Sequence, residues 1–139
     1  MDTIPVGAFS LKSYAFTKAY LDFRNISSSK LNIELVPKGV YNASTCEFKL
    51  AFEVKIKSEF TETDIIDVVC EAVLQFQDKI AFSDIPDYFY ANSLAILFPY
   101  VRAFISTLSL QANVKPIIIP TVNLSGLSEA FKRGTTEEM

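Results

Sequence analysis

The side chains that carry most enzyme chemistry are scarce in this chain. Among its 139 residues there is no histidine, and only two cysteines, Cys46 and Cys70. Two thiolates cannot complete a closed tetrahedral zinc site, and the commonest general bases and activated nucleophiles lean on an imidazole. The four glycines form no phosphate-cradling loop, and the carboxylates form no paired acid constellation. Residue types and spacing therefore argue against metal, cofactor and hydrolytic chemistry, and the chain is read as a binding protein rather than an enzyme.

Binding partners are narrowed by charge and composition. A net charge of -3 and an isoelectric point near 4.9, with no cluster of Lys and Arg, argue against nucleic acid, whose phosphates need such clusters. The opening Met1 to Pro5 lacks a basic region followed by an apolar run, so no secretory signal is read and a cytoplasmic location is expected. On that reading the glycosylation-type triplets at Asn25, Asn42 and Asn123 are coincidences. Half of the residues are hydrophobic, with twelve Phe and six Tyr, and the mean hydropathy of +0.25 is high for a soluble monomer. Part of this apolar surface is expected to meet a partner.

The length suits a single domain over 1–139, with a short frayed tail from Gly134 to Met139. Cys46 to Lys57 alternates Cys46, Phe48, Leu50, Phe52, Val54 and Ile56 with polar residues, and Asp64 to Gln77 repeats the pattern with Ile66, Val68, Cys70, Ala72, Leu74 and Phe76. Two such runs joined by a short polar link predict an antiparallel hairpin with one dry face. Pairing Ser58 with Asp64 keeps both apolar sets on one side. It also sets Phe52 opposite Cys70, Cys46 opposite Phe76 and Lys55 opposite Asp67, an oppositely charged pair. The cysteines then lie about 20 Å apart, too far for a disulfide, and both are read as small core residues.

Leu31 to Leu35 predicts a shorter strand ended by the Pro37 to Val40 turn signal, and Phe9 to Phe23 predicts a strand of imperfect alternation. From Leu94 to Leu110 the apolar residues occupy every side of a helical wheel, with Arg102 as the single charge and Pro99 inside. Asn92 or Ser93 is positioned to cap its start. Such a helix belongs in a membrane, in a large core, or between its own sheet and a second subunit. Pro99, Arg102 and the surrounding strands argue against stable membrane insertion, and a chain this short cannot surround the helix. A homo-oligomer follows, with Leu97, Phe98, Val101, Phe104, Ile105 and Leu108 as interface candidates. A charge at Val101 or Phe104 is expected to split it while leaving the hairpin folded. Beyond the helix, Lys115 to Pro120 reads as extended and Val122 to Gly134 as a last helix, with Asn123 as its cap and Gly134 past its end.

The run Ile96 to Arg102, "ILFPYVR", followed by Pro116, Pro120, Val122, Asn123 and Leu127, resembles the "ILFPYAR" helix and "P.L.L.PVNF.AL" extension of the SecB export-chaperone family. Weaker similarities lie at Phe16 to Phe23 and at "VCEAV", Val69 to Val73. The resemblance implies an α+β fold, a four-stranded antiparallel sheet with two C-terminal helices on one face, assembled as a dimer of dimers. It also implies an ATP-independent holdase that binds unfolded preproteins in aromatic-lined grooves and passes them to the translocase motor ATPase. Aromatics outside the alternating strands are the client-binding candidates: Phe23, Tyr41, Phe60, Tyr88, Phe89 and Tyr90. By the same resemblance Glu71, Glu53 and Asp67 form an acidic sheet face that docks the motor. The link between the first two strands is shorter than the family's crossover loop and there is no Trp, which implies a more open groove. The C-terminus also lacks the family's long acidic tail. Two further roles stay open: a dedicated chaperone of an antitoxin, and a non-chaperone module for a small apolar ligand or one fixed partner.

Overall fold

The computed structural model describes residues 7–24, 30–59, 63–119 and 124–138. Four strands, β1 (Phe9–Leu21), β2 (Leu31–Asn42), β3 (Glu47–Ser58) and β4 (Asp64–Phe76), precede a short 3-10 turn at Phe82–Asp84 and the helix α1 (Asp87–Gln111). A second 3-10 turn (Leu124–Leu127), the helix α2 (Ser128–Arg133) and a last strand β5 (Thr135–Glu137) complete the chain. The sheet order is β1-β4-β3-β2-β5, with β5 parallel to β2 and every other pair antiparallel. The fold is thus α+β, with a five-stranded mixed sheet in place of the expected four antiparallel strands.

The β3–β4 hairpin forms for the reason its alternation gives. Phe48, Leu50, Phe52, Val54 and Ile56 from β3, with Ile66, Val68, Cys70, Ala72, Leu74 and Phe76 from β4, fill one face of the sheet and are buried. Each large side chain among them contributes about 1.5–3 kcal/mol of burial. Phe52 pairs with Cys70 and Lys55 with Asp67, as the parity argument requires. A bulge between Ile56 and Lys57 sets Lys57, not Ser58, opposite Asp64. Cys46 lies in the β2–β3 turn with φ 59, outside the strand and only half-buried. Cys70 is buried, and that burial pushes its thiol up to about 11, which leaves it protonated and inert at neutral pH.

Irregularity in β1 has a structural cause. Bulges between Leu11 and Ser13 and between Phe16 and Lys18 switch the parity twice. The inward residues are consequently Phe9 and Leu11, then Tyr14 and Phe16, then Ala19 and Leu21, opposite the inward residues of β4.

β2 runs straight through the expected turn at Pro37 to Val40. Proline is tolerated there because the next strand outward, β5, pairs only with Gly39 to Tyr41, so no ladder hydrogen bond is asked of the buried Pro37 on that side. Gly39 is needed because the ring of Phe48 occupies the space that a Cβ at this position would fill. The tail expected to fray is held as β5. Thr135 is buried and donates its hydroxyl to Phe131 O at 2.7 Å, and Glu138 N donates to Tyr41 O at 2.8 Å.

Helix α1 starts two residues after Ile85, with Pro86 rather than Asn92 or Ser93 at its N-cap. Pro86 imposes an extended entry, and the helical Tyr88, Phe89 and Tyr90 are thereby its first turns rather than a loop. It ends in a Schellman motif: Asn113 takes φ 62, Asn113 N donates to Leu110 O at 3.0 Å and Val114 N to Ser109 O at 3.2 Å. Pro99 lies on the exposed side. The final helix is shorter than expected and begins at Ser128; Asn123 and its capping role lie outside the described residues.

Replacing Gly39 by Ala should force the Phe48 ring and its aromatic neighbours aside and cost about 1–3 kcal/mol. Urea unfolding of the variant is the check, with the midpoint expected to fall and the m-value to hold.

Candidate functional site

Helix α1 is apolar on two sides but covered on only one. Leu94, Leu97, Phe98, Val101 and Ile105 face the sheet and are buried. A third side is closed by the strand-like return of the chain after the helix. There Arg102 Nε donates to Ile119 O at 2.9 Å, Ser106 Oγ to Ile117 O at 3.1 Å, and Ile117 N to Ser109 Oγ at 3.0 Å. What remains open is a stripe at helical spacing: Tyr88, Asn92, Ala95, Ile96, Pro99, Tyr100, Ala103, Thr107 and Leu110, all exposed. Leu110 shows 61% of its surface and Tyr100 42%. By length and composition α1 is apolar enough to cross a membrane, but its sheet-facing side is core.

Where this stripe meets the edge strand β1, aromatic rings line a groove of about 350 Å³ with Tyr14, Phe16, Tyr100, Ala103, Phe104 and Thr107. The double bulge aims Tyr14 and Phe16 toward the helix, while Tyr100 and Phe104, four residues apart, share one helix flank. Phe16 stacks on Phe104 with centroids 3.9 Å apart and planes at 10°, and Tyr14 lies 4.5 Å from Tyr100. Tyr14 remains 41% exposed because β1 is the sheet edge and α1 does not reach over it. Such a site offers broad, weakly directional contact and no chemistry.

The client-binding residues chosen from sequence are mostly elsewhere. Tyr41, Phe89 and Tyr90 are core residues. Phe89 sits 4.7 Å from Phe48, 4.9 Å from Phe76 and 4.8 Å from Phe9, and Tyr90 lies 5.1 Å from Phe131. Tyr41 donates its hydroxyl to Ile80 O at 2.6 Å, and burial raises its pKa. Phe23 is half-buried against the core, Tyr88 is exposed at the start of the stripe, and Phe60 lies outside the described residues. The groove-lining rings sit within β1 and α1, where the pattern reads them as packing residues rather than exposed rings. Their signal was Tyr-x-Phe at 14 and 16 with Tyr100 and Phe104 one helical turn apart.

The residues expected at an oligomer interface lie mainly on the sheet side of α1. Leu97, Phe98, Val101 and Ile105 pack on their own sheet, and Phe104 and Leu108 are half-buried.

On the outer face of the sheet the acids are interleaved with lysines. Asp67 is buried, and its Oδ2 accepts from Lys18 Nζ at 2.7 Å, with Glu53 Oε2 at 3.8 Å from the same nitrogen. Burial alone would raise the Asp67 pKa, but hydrogen bonds from Lys18 and Glu53 outweigh it and hold the pKa down. Glu53 is pushed up, first by its hydrogen bond with Asp67 and then by burial. Glu71 is exposed, with Lys38 and Lys49 beside it around a groove of about 380 Å³ over Val40, Ala51 and Val73. The latter groove is floored by small side chains and backbone. The ring-lined groove is the stronger candidate because its walls are stacked aromatic rings, Phe16 on Phe104 and Tyr14 beside Tyr100. Among the described residues, Glu53 and Asp67 are engaged with Lys18, and Glu71 stands beside Lys38 and Lys49.

No family model matches the chain. An uncharacterised protein of Methanocaldococcus jannaschii is 50% identical over 50 residues, which is 34% of this chain and 32% of that one. The match thus spans only about a third of that relative's length. The fold is similar to that of a SecB-like chaperone of Mycobacterium tuberculosis, solved in complex with a peptide from the HigA1 antitoxin. That similarity has a TM-score of 0.66 at 12% identity and covers 82% of this chain and 87% of that one. It is also similar, at a TM-score of 0.52 and 10% identity, to a protein of unknown function from Streptococcus agalactiae, covering 82% of this chain and 98% of the other. The fold is SecB-like.

Two neighbouring substitutions on α1 should separate its sides. Val101→Asp places a charge in the core and should cost several kcal/mol, enough to unfold the subunit, whereas Tyr100→Asp should change stability by about 0.5 kcal/mol or less. Thermal unfolding by circular dichroism of both variants gives the comparison.

Proposed function

We propose that this protein is an ATP-independent holdase that binds extended apolar segments of unfolded polypeptides in the groove between β1 and α1, working as a cytoplasmic homo-oligomer. The observation that carries the reading is the contiguous exposed stripe of α1, bordered by the Tyr14, Phe16, Tyr100 and Phe104 rings. Apolar surface of this extent on a soluble chain marks an interaction site. Stacked rings reward burial of many different side chains and demand no particular hydrogen bond, which suits clients that share only the lack of a fold. The SecB-like fold supports the same reading.

A second copy covers the stripe at Ile96 and Pro99, on the side away from Tyr100 and Phe104, and the ring-lined flank then stays accessible along β1. A dimer of dimers then needs a second, different contact between two such pairs. Delivery to an export motor is less favoured, because the outer sheet face is charge-balanced rather than acidic. A dedicated antitoxin chaperone is the second reading. It is favoured by the M. tuberculosis SecB-like chaperone, which holds an antitoxin peptide.

Light scattering of a chemically unfolded, aggregation-prone client should show suppression near one oligomer per client. Phe16→Ser is expected to weaken suppression about tenfold with the native mass unchanged. Ile96→Asp should lower the mass in sedimentation velocity. Absence of suppression of any unfolded client by the native protein would remove the holdase reading. Suppression of an antitoxin's aggregation alone would select the dedicated role.

A further inference from the structure

The outer sheet face contains a polar arrangement that is incomplete with every carboxyl ionised. Asp67 is more than nine-tenths buried. Its Oδ2 is held by Lys18, while Oδ1 is buried without a hydrogen-bond donor. An orphaned buried acceptor is costly, and native structures seldom leave one unexplained. Glu53 is the neighbour that can supply the missing donor, because its carboxyl lies 3.8 Å from the same Lys18 nitrogen that holds Asp67. A carboxylate cannot donate, but a carboxylic acid can.

We propose that Glu53 and Asp67 share one proton in the folded protein, and that its loss sets Glu53 against Asp67 in competition for Lys18, shifting edge strand β1 and with it the ring wall of the groove. With the proton on Glu53, its hydroxyl donates to Asp67 Oδ1, and the ionised Asp67 holds Lys18 through Oδ2. When the proton leaves to solvent, two adjacent carboxylates face a single ammonium, and Oδ1 loses its donor. Lys18 lies two residues after Phe16, with the second bulge of β1 between them. A bulge breaks the ladder locally, so a displacement of Lys18 reaches the Phe16–Phe104 stack with little resistance from β4. The link to the groove rests on the proposed binding site; the shared proton does not.

The other charged and titratable groups around the pair come from each neighbouring strand. Tyr20 of β1 and Lys55 of β3 are both opposite Asp67, Glu34 of β2 is opposite Lys55, and Asp64 of β4 is paired with Lys57 at 3.8 Å. Lys55 favours the ionised forms of both acids. The directions agree with a shared proton: Glu53 is raised and Asp67 lowered. The raised Glu53 contributes stability that is present below its unfolded pKa and lost as pH rises through its folded one. The lowered Asp67 contributes stability present above its unfolded pKa and lost as pH falls through its folded one. The pair therefore stabilises most between Asp67's lowered and Glu53's raised pKa.

Carbon-detected NMR titration of the side-chain carboxyls in the full chain tests the shared proton. Glu53 should titrate above the ordinary glutamate range, in a two-step curve mirrored at Asp67. Asp67→Asn should return Glu53 to a single ordinary step. Glu53→Gln, which keeps a donor for Oδ1, should abolish the loss of thermal stability as pH rises through the Glu53 step. An ordinary single-step Glu53 in the native protein, or an unchanged pH profile in Glu53→Gln, overturns the proposal. Affinity for a fluorescent apolar peptide, read across the same titration, should change at least threefold in the native protein and stay flat in Glu53→Gln. A flat affinity in both overturns the link to the groove. No peptide binding at any pH refutes the holdase site instead, and the carboxyl titration still decides the shared proton.

Discussion

A helix can turn only one side to the sheet beneath it, and α1 is apolar on more sides than one. Its buried face is anchored by the ring cluster around Phe48, which lies over Gly39 and meets Phe89 and Phe131 at 4.7 and 5.6 Å. With that face fixed, the positions of Ile96, Tyr100, Ala103 and Leu110 follow from helical spacing, and they cannot be withdrawn from solvent by any rearrangement of the subunit. The return segment after α1 covers only the side marked by Arg102, Ser106 and Ser109, whose polar atoms satisfy its backbone. The open stripe is thus a consequence of the core rather than an independent feature of the surface.

The parts legible in the sequence are those where local pattern and tertiary demand agree. In β3 and β4 every second residue is apolar and both faces have distinct neighbours, so parity fixes register, down to Lys55 opposite Asp67. Helix α1 was legible as a rod apolar on all sides, though which side met the sheet was not, because an all-round apolar helix gives periodicity no direction. In β1 two bulges exchange the inward and outward residues, and an alternation rule reads the result as disorder in the pattern. Pro37 and Gly39 look like a turn, yet a strand side with no ladder partner accepts the proline and an overlying ring demands the glycine. The three-residue β5 is too short to carry a pattern at all.

Aromatic residues mislead for a related reason. A cluster such as Tyr88, Phe89 and Tyr90 next to Pro86 resembles a loop with exposed rings. Once Pro86 sets the helix entry, successive residues point in directions about 100° apart. Tyr88 falls outward, and Phe89 and Tyr90 fall inward onto Phe48 and Phe131. The rings that do line a groove come from ordered elements, two from an edge strand and two from one helix flank.

The groove's two walls differ in how firmly they are held. Tyr100 and Phe104 belong to a helix whose next residues, Val101 and Ile105, are locked in the core. Tyr14 and Phe16 belong to an edge strand with a bulge on either side and a ladder to β4 alone. One wall is therefore rigid and the other compliant, since each bulge removes local pairing and leaves the strand free to bend. A site of this kind accommodates side chains of different size by moving β1 rather than repacking the core. The electrostatic hold on β1 at Lys18 then matters more than its small net strength suggests, because it acts on the compliant wall.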